Sequence, residues 1–377
     1  MVEYDVAVIG GGPAGAMAAH AAATSGASVI LVERANLPRY KTCGGGLIGL
    51  SRRALPAGFA VPVQRSIRTV TFSYRGRWAR TRTADRPLLD LVYRDEFDAA
   101  LVEAAAKAGA EIADGVAVSR IDQDGDGVTL GTARGEVRAA AVVGADGTGG
   151  RAGVHVGVTL RQVDLGLEVE LPRSHPRAAR WDGEHLLIDW GPLPGSYGWV
   201  FPKRDALTVG VIAARGDGAA TRAYLAAFLA RLGLDGVEAD RGSGHLTRVR
   251  AADSPLSRGR VLLAGDAAGL LEPWTREGIS YALRSGTLAG AAAARLAGGD
   301  TGAADDYAAA VDATLGEEMR AGDLLLAAFA RRPLAFHAVV ATLPPAWRMF
   351  RRSVAGEVTV AELAAHPSIA RALRLLA

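Results

Sequence analysis

The run Gly10-Gly11-Gly12-Pro13-Ala14-Gly15 carries glycines at Gly-x-Gly-x-x-Gly spacing, between an apolar stretch and an Ala-rich one. That spacing suits pyrophosphate binding. Gly10 permits a tight turn, Gly12 lets the backbone approach the anion, and Gly15 lets a helix pack closely on a strand. A helix opening at Pro13 and Ala14 then turns free N–H groups and a partial positive charge towards the phosphates. The next apolar stretch, 28–32, ends in Glu33 and Arg34. A carboxylate there binds the ribose hydroxyls of an adenosine half and disfavours a 2′-phosphate.

A second group of residues lies far along the chain. The segment 260–264 reads as a buried strand, followed by the small-residue turn Gly265-Asp266-Ala267-Ala268-Gly269. This resembles the second FAD signature of glutathione-reductase-like and hydroxylase-like flavoproteins. The resemblance implies that Asp266 accepts hydrogen bonds from the ribityl and pyrophosphate side, and a helix N-cap role is compatible with that. Val142-Val143-Gly144-Ala145-Asp146-Gly147 resembles the intermediate Asp-Gly motif, and Arg94 heads a helix where these families place a cofactor-contacting arginine. Three signatures in this order imply noncovalent FAD rather than NAD. No second Gly-x-Gly-x-x-Gly unit follows, so NAD(P)H would bind transiently, or another external donor, such as an electron-donor protein, would reduce the flavin.

Two further strings narrow the family. Pro38-Arg39-Tyr40-Lys41-Thr42-Cys43-Gly44-Gly45-Gly46 resembles a loop of the geranylgeranyl reductase family, itself related to the para-hydroxybenzoate hydroxylase-like flavoproteins. Tyr197-Gly198-Trp199-Val200-Phe201-Pro202-Lys203 matches that family's Tyr-x-Trp-x-Phe-Pro-Lys motif, and Pro273 with Glu277-Gly278-Ile279 matches its last flavin motif. The resemblance spans residues 4 to about 290. It implies that Cys43, Gly44 and Gly45 lie beside the isoalloxazine, and that a helix opening near Gly278 and Ile279 aims its positive end at flavin N1 and O2. Tyr197, Trp199 and Phe201 alternate onto one strand face. That face is either the core of a smaller sheet or, as the resemblance favours, the wall of an apolar tunnel. Cys43 is either a small buried hydrophobe or an active-site residue; Lys41 and Arg39 in its loop are compatible with simple solvation. The chain departs from the family at Arg276, where a glycine is usual, and at Gly210-Val211-Ile212, where Gly-x-Gly is expected.

The implied reaction is reduction of carbon–carbon double bonds in a polyprenyl chain, with Cys43, Tyr197 and Trp199 as candidate catalytic residues. The same scaffold serves monooxygenases and halogenases, and a quinone-linked electron-transfer flavoprotein is a further alternative.

These residues need an α/β fold to position them. The sequence predicts strand, helix and strand over residues 4–32, a helix over 93–108, and β segments over 65–90, 115–143 and 163–212. Helices follow over 221–232 and 277–296, and the chain from about 302 is helical throughout. The expectation is a discontinuous Rossmann-type FAD domain (1–64, 91–160 and 250–300). A mainly antiparallel β substrate domain (65–90 and 161–249) is inserted, and a helical region (301–377) follows.

Composition agrees with a globular enzyme, at 49% hydrophobic and 22% charged. A net charge of +3 is too mild to imply nucleic acid. The single cysteine rules out an internal disulfide, and seven dispersed histidines predict no metal. Met1 leads almost directly into a strand, which predicts a cytoplasmic chain without a signal peptide. The most apolar late stretch, 324–349, is broken by Arg331, Arg332, Pro344 and Pro345. It reads as core-packed helices, or as a surface touching the inner face of a membrane with Arg348, Arg351 and Arg352 at its edge.

Overall fold

The computed structural model describes residues 3–181, 183, 185–216, 218–367 and 369–371. Its first element is the strand Glu3–Ile9, whose last four residues are buried. A turn leads into the helix Pro13–Thr24, with proline in its first turn, where a missing N–H is harmless. The fully buried strand Val29–Val32 returns parallel to the first. Strands Gly135–Gly144 and Val261–Leu263 continue the parallel sheet on one side and Glu111–Ala113 on the other. Strands buried on both faces read as short runs of Val, Ile and Leu, which is why 29–32 and 261–263 stand out in the sequence.

The helix Ile279–Ala297 packs across Pro13–Thr24 with its backbone in close contact. A Cβ added at Gly286 would lie 2.2 Å from the Ala14 carbonyl oxygen, and one at Gly290 would lie 2.1 Å from that of Ala18. Small residues four apart on both helices allow this approach, and it holds two segments distant in sequence side by side.

A seven-stranded sheet forms the second layer, in the order Arg241–Arg250, Leu160–Pro172, Ala206–Ala214, Tyr197–Pro202, His185–Trp190, Thr69–Tyr74 and Arg77–Thr83. All of its pairings are antiparallel except that of Thr69–Tyr74 with His185–Trp190. The stretch 65–90 divides between sheets. Strands Val63–Ile67 and Leu89–Val92 join Gly46–Leu47 in a small separate sheet, and only 69–83 reaches the large one.

Beyond the helix Ala303–Val311, the helices Glu317–Arg331, Pro333–Thr342 and Pro344–Val354 fold back over this second sheet, and Val360–Ala365 packs on Glu317–Arg331. Phe329 and Phe336 meet Phe72 and Trp190 in one buried cluster. Ring centroids of Trp190 and Phe329 are 5.1 Å apart, and those of Trp274 and Phe336 are 5.0 Å apart. Among the described residues no single helix is long and apolar enough to cross a bilayer. Only Ala303–Arg331 and Pro333–Thr342 taken together have the length and composition, and they are bent by 111°.

Candidate active site and cofactor cleft

A cleft of about 1000 Å³ opens at the ends of the parallel strands. The glycine run forms its floor. Gly10 has φ +104°, and a Cβ there would sit 2.4 Å from the Ala145 oxygen; a Cβ on Gly15 would sit 1.8 Å from the Gly10 oxygen. Gly12, at the start of the helix, has only an Arg39 guanidinium nitrogen near it, 3.5 Å from a built Cβ. The backbone there is open to a ligand. Glu33 is buried and takes hydrogen bonds from the Gly11 N–H (2.7 Å) and the Ala35 N–H (2.9 Å). Asp146 accepts from the Arg151 and Ala152 N–H groups through Oδ2, while its buried Oδ1 has no partner. Burial raises its pKa.

Gly10, Gly12, Ala14, Glu33, Arg34, Cys43, Arg94, Asp146, Asp266, Gly278 and Ile279 all line this cleft. Gly15 and Gly265 do not. They stand behind it, Gly265 at φ +57° with Ala14 against it, and act by letting the turns close. Gly44 and Gly45 face the neighbouring cavity instead, because Gly45 at φ +76° turns the chain under Val92.

Arg94 grips Asp98 at 2.8 and 2.9 Å and also reaches Cys43. Lys41 and Arg39 are not simply solvated. Arg39 bridges Asp98 (3.0 Å) and Glu33 (3.6 Å), and the Lys41 amine lies 3.0 Å from the His245 ring nitrogens. His245 in turn stands 3.4 Å from Asp266. Partial burial opposes ionisation of Asp266, yet His245, Lys41 and Arg94 hold its carboxyl below the ordinary value. The Lys41 amine is itself lowered, by burial. A lone histidine in a polar strand gave no signal of this contact, which arises only when strand Arg241–Arg250 is laid beside the Cys43 loop.

The second cavity, about 380 Å³ and overwhelmingly apolar, adjoins the first. Thr42, Cys43, His245, Arg276, Gly278 and Ile279 border both. Tyr197, Trp199 and Phe201 form one wall, as strand alternation suggests, and Phe72, Trp190 and Trp274 extend it. The second sheet makes room in register. Trp199 lies opposite Gly210, where a built Cβ would meet its ring at 2.1 Å, and Tyr197 lies opposite Ile212. Ile212, standing where the family's second glycine is expected, fills part of the cavity wall.

Arg276 takes φ +57° and is almost wholly buried, paired with buried Asp164 at 3.2 Å and donating to the carbonyl oxygens of Gly195 and Trp274. The Tyr197 hydroxyl donates to the Thr275 carbonyl, and burial pushes its pKa upward. Sequence reasoning missed the carboxylates of this cavity: Glu168, Glu272, Glu277 and Glu318 all border it.

The chain matches the FAD binding domain family over residues 3–309. It is 31% identical over 306 residues to geranylgeranyl diphosphate reductase of Rhodobacter capsulatus, covering 78% of this chain and 75% of that one. It belongs to the geranylgeranyl reductase family of FAD-dependent oxidoreductases. Within that family, digeranylgeranylglycerophospholipid reductase 3 of Methanosphaera stadtmanae is 28% identical, covering 78% of each chain. Menaquinone reductase of Mycolicibacterium smegmatis is 31% identical, covering 84% of this chain and 81% of its own. The crystal structure of a geranylgeranyl bacteriochlorophyll reductase-like protein from Thermoplasma acidophilum superposes with a TM-score of 0.77 at 20% identity, covering 100% of this chain and 99% of that one. A flavin-dependent brominase gives 0.75 at 18%, covering 99% and 100%; at such identities these two show a shared fold.

The cleft fits FAD on its own geometry. It has an open glycine backbone for the pyrophosphate, a carboxylate at Glu33 for the ribose, and a lining Asp146 whose buried Oδ1 has no hydrogen-bond partner.

Proposed function

We propose that this chain reduces carbon–carbon double bonds of a polyprenyl lipid. The observation that carries the reading is the aromatic-walled apolar cavity bordering the cofactor cleft at Cys43, Gly278 and Ile279. Gly10, Gly12, Glu33, Asp146 and Asp266 would hold FAD, and bound there FAD supplies the hydride. The protein's own part is to seat an unreactive alkene against the cofactor, exclude water and provide a proton. Trp199 and Phe201 press on the Cys43 loop: a Cβ on Gly44 would meet the Phe201 ring at 2.8 Å and the Trp199 indole nitrogen at 3.3 Å. Cys43 therefore sits at the junction, its N–H bound to Glu168 at 2.8 Å.

An external donor, NAD(P)H or a partner protein, recharges the cofactor in this reading. The protein works from the cytoplasmic side, at the inner face of a membrane. Trp78, Leu334, Val339 and Leu343, all 40–53% exposed, share a surface with exposed Arg77, Arg80, Arg331 and Arg332. Apolar tips among arginines suit anionic head groups.

The test is anaerobic. Dithionite-reduced holoenzyme mixed with geranylgeranyl diphosphate or a prenylquinone should yield a product heavier by two hydrogens per bond. Unchanged substrate in every case overturns the reading. Oxygen-dependent hydroxylation or halogenation would move the chain to the monooxygenase and halogenase class built on this fold.

A further inference from the structure

Reduction of an isolated alkene needs a proton as well as a hydride, and the two donors that the sequence singles out, Tyr197 and Cys43, are already engaged. The Tyr197 hydroxyl gives its hydrogen to the Thr275 carbonyl. The Cys43 sulfur accepts from the Gly45 N–H at 3.4 Å and from Arg94, the pattern of an acceptor. Four carboxyl groups remain. Glu168 has buried Lys203 as its strongest charged neighbour, Glu318 has Arg284 at 2.8 Å, and Glu272 has Arg276 nearby. Glu272 is moreover spent on the N–H groups of Trp274 and Thr275.

Glu277 also accepts, from the N–H and the hydroxyl of Ser280, but it differs in its charges: its strongest electrostatic neighbours are two further carboxyls, Glu272 from the preceding loop and Glu318 from the helix Glu317–Arg331. Around this group stand Arg276 before it, Tyr281 and Arg284 on the helix Ile279–Ala297 that follows it, and Glu362, which faces Glu318 from the helix Val360–Ala365. The Tyr281 hydroxyl is buried, borders the same cavity and has no hydrogen-bond partner. Glu277 also immediately precedes Gly278 and Ile279, which border both cavities.

We propose that Glu277 is the acid that supplies the proton when an alkene held in the apolar cavity is reduced. The assignment rests on the prenyl-reductase reading. One alkene carbon takes the hydride of the reduced cofactor, and the π pair forms the new C–H bond at the other with the Glu277 proton. The cofactor is left oxidised and Glu277 ionised. Glu318, itself paired with the partly exposed Arg284 at 2.8 Å, borders the same cavity. Burial supports the assignment by raising the Glu277 carboxyl to about 7, so that it carries its proton in a dry site near neutral pH.

The test compares wild type, Glu277→Gln and Glu277→Asp as FAD-loaded, dithionite-reduced proteins given geranylgeranyl diphosphate. Glu277→Gln keeps an oxygen for Ser280 and loses the acid. Cofactor oxidation by substrate should slow by about 100-fold or more, while FAD content and reduction by dithionite stay unchanged. Aspartate should restore part of the rate. The wild-type rate should fall as pH rises through about 7, and the glutamine variant should lose that dependence. Independently of turnover, infrared spectra of the holoenzyme should show a protonated-carboxyl carbonyl band that vanishes over the same range and is missing from Glu277→Gln. A glutamine variant with wild-type rate and pH profile, or the absence of the band from wild type, overturns the proposal while leaving the reductase reading intact. A wild type that reduces no prenyl lipid sinks the reading itself.

Discussion

In the cofactor cleft, the contacts come from turns at the ends of parallel strands, where backbone N–H groups and short carboxylates meet. In the adjoining cavity they come from aromatic rings on antiparallel strands, roofed by helices more than a hundred residues later. The first rests on short motifs whose turns, at Gly10 and Gly15, leave no room for a side chain. The second is assembled across the whole chain and can be reshaped residue by residue. A family that keeps one cofactor while varying its lipid needs this division: a rigid polar floor and an adjustable greasy wall.

The sharpest way to break the first half is Gly15→Val. A side chain whose first carbon would lie 1.8 Å from the Gly10 oxygen forces strand and helix apart. We expect a loss of about 3 kcal/mol or more in a urea melt, together with colourless protein.

Arg276→Gly addresses the border between the two regions. Glycine accepts φ +57° without strain, a gain of about 1 kcal/mol, but Asp164, which keeps the Gln162 amide, is left as a buried carboxylate without this cation, a loss of roughly 3–5 kcal/mol. The single variant should be less stable by about 2–4 kcal/mol, and Arg276→Gly combined with Asp164→Asn should recover most of it. Equal melts for both variants would mean that the ion pair does not set the stability of this border.

Glu33→Lys should weaken FAD retention by about 10–100-fold, read by flavin release on dilution. It should leave the apolar cavity able to bind a prenyl lipid, because nothing in that wall depends on Glu33.

Glu277 gives the most pH-specific effect, one that vanishes in acid. Its folded pKa, about 7, lies above the ordinary carboxyl value of 4.5. Between those values the native state holds more protons than the unfolded chain, so stability declines as pH rises across that window and the penalty is complete above it. Glu277→Gln should therefore match wild type near pH 4 and exceed it near pH 8, by about 3 kcal/mol at most.

The same contrast explains what the sequence disclosed. The glycine run, Glu33 and the Gly265-Asp266 turn are legible because each does its work within a few residues of itself. The Tyr197–Phe201 face was legible from alternation, but whether it faced a core or a cavity was not. That depended on Gly210 receiving the Trp199 ring and on Phe329 and Phe336 arriving from the C-terminal helices. The Lys41–His245–Asp266 chain and the carboxyls around Glu277 left no sequence signal, because each joins segments far apart in the chain that the fold alone brings together.

The central claim is that the apolar cavity opens onto the cofactor's reactive edge, and the visible spectrum of the bound flavin reports it directly. Titrating oxidised holoenzyme with geranylgeraniol should replace water at the ring with hydrocarbon and shift the flavin bands saturably, and Ile212→Trp, which fills the cavity wall, should abolish the shift without lowering flavin content. A prenyl chain that binds the wild-type protein and leaves the flavin spectrum untouched would contradict the account.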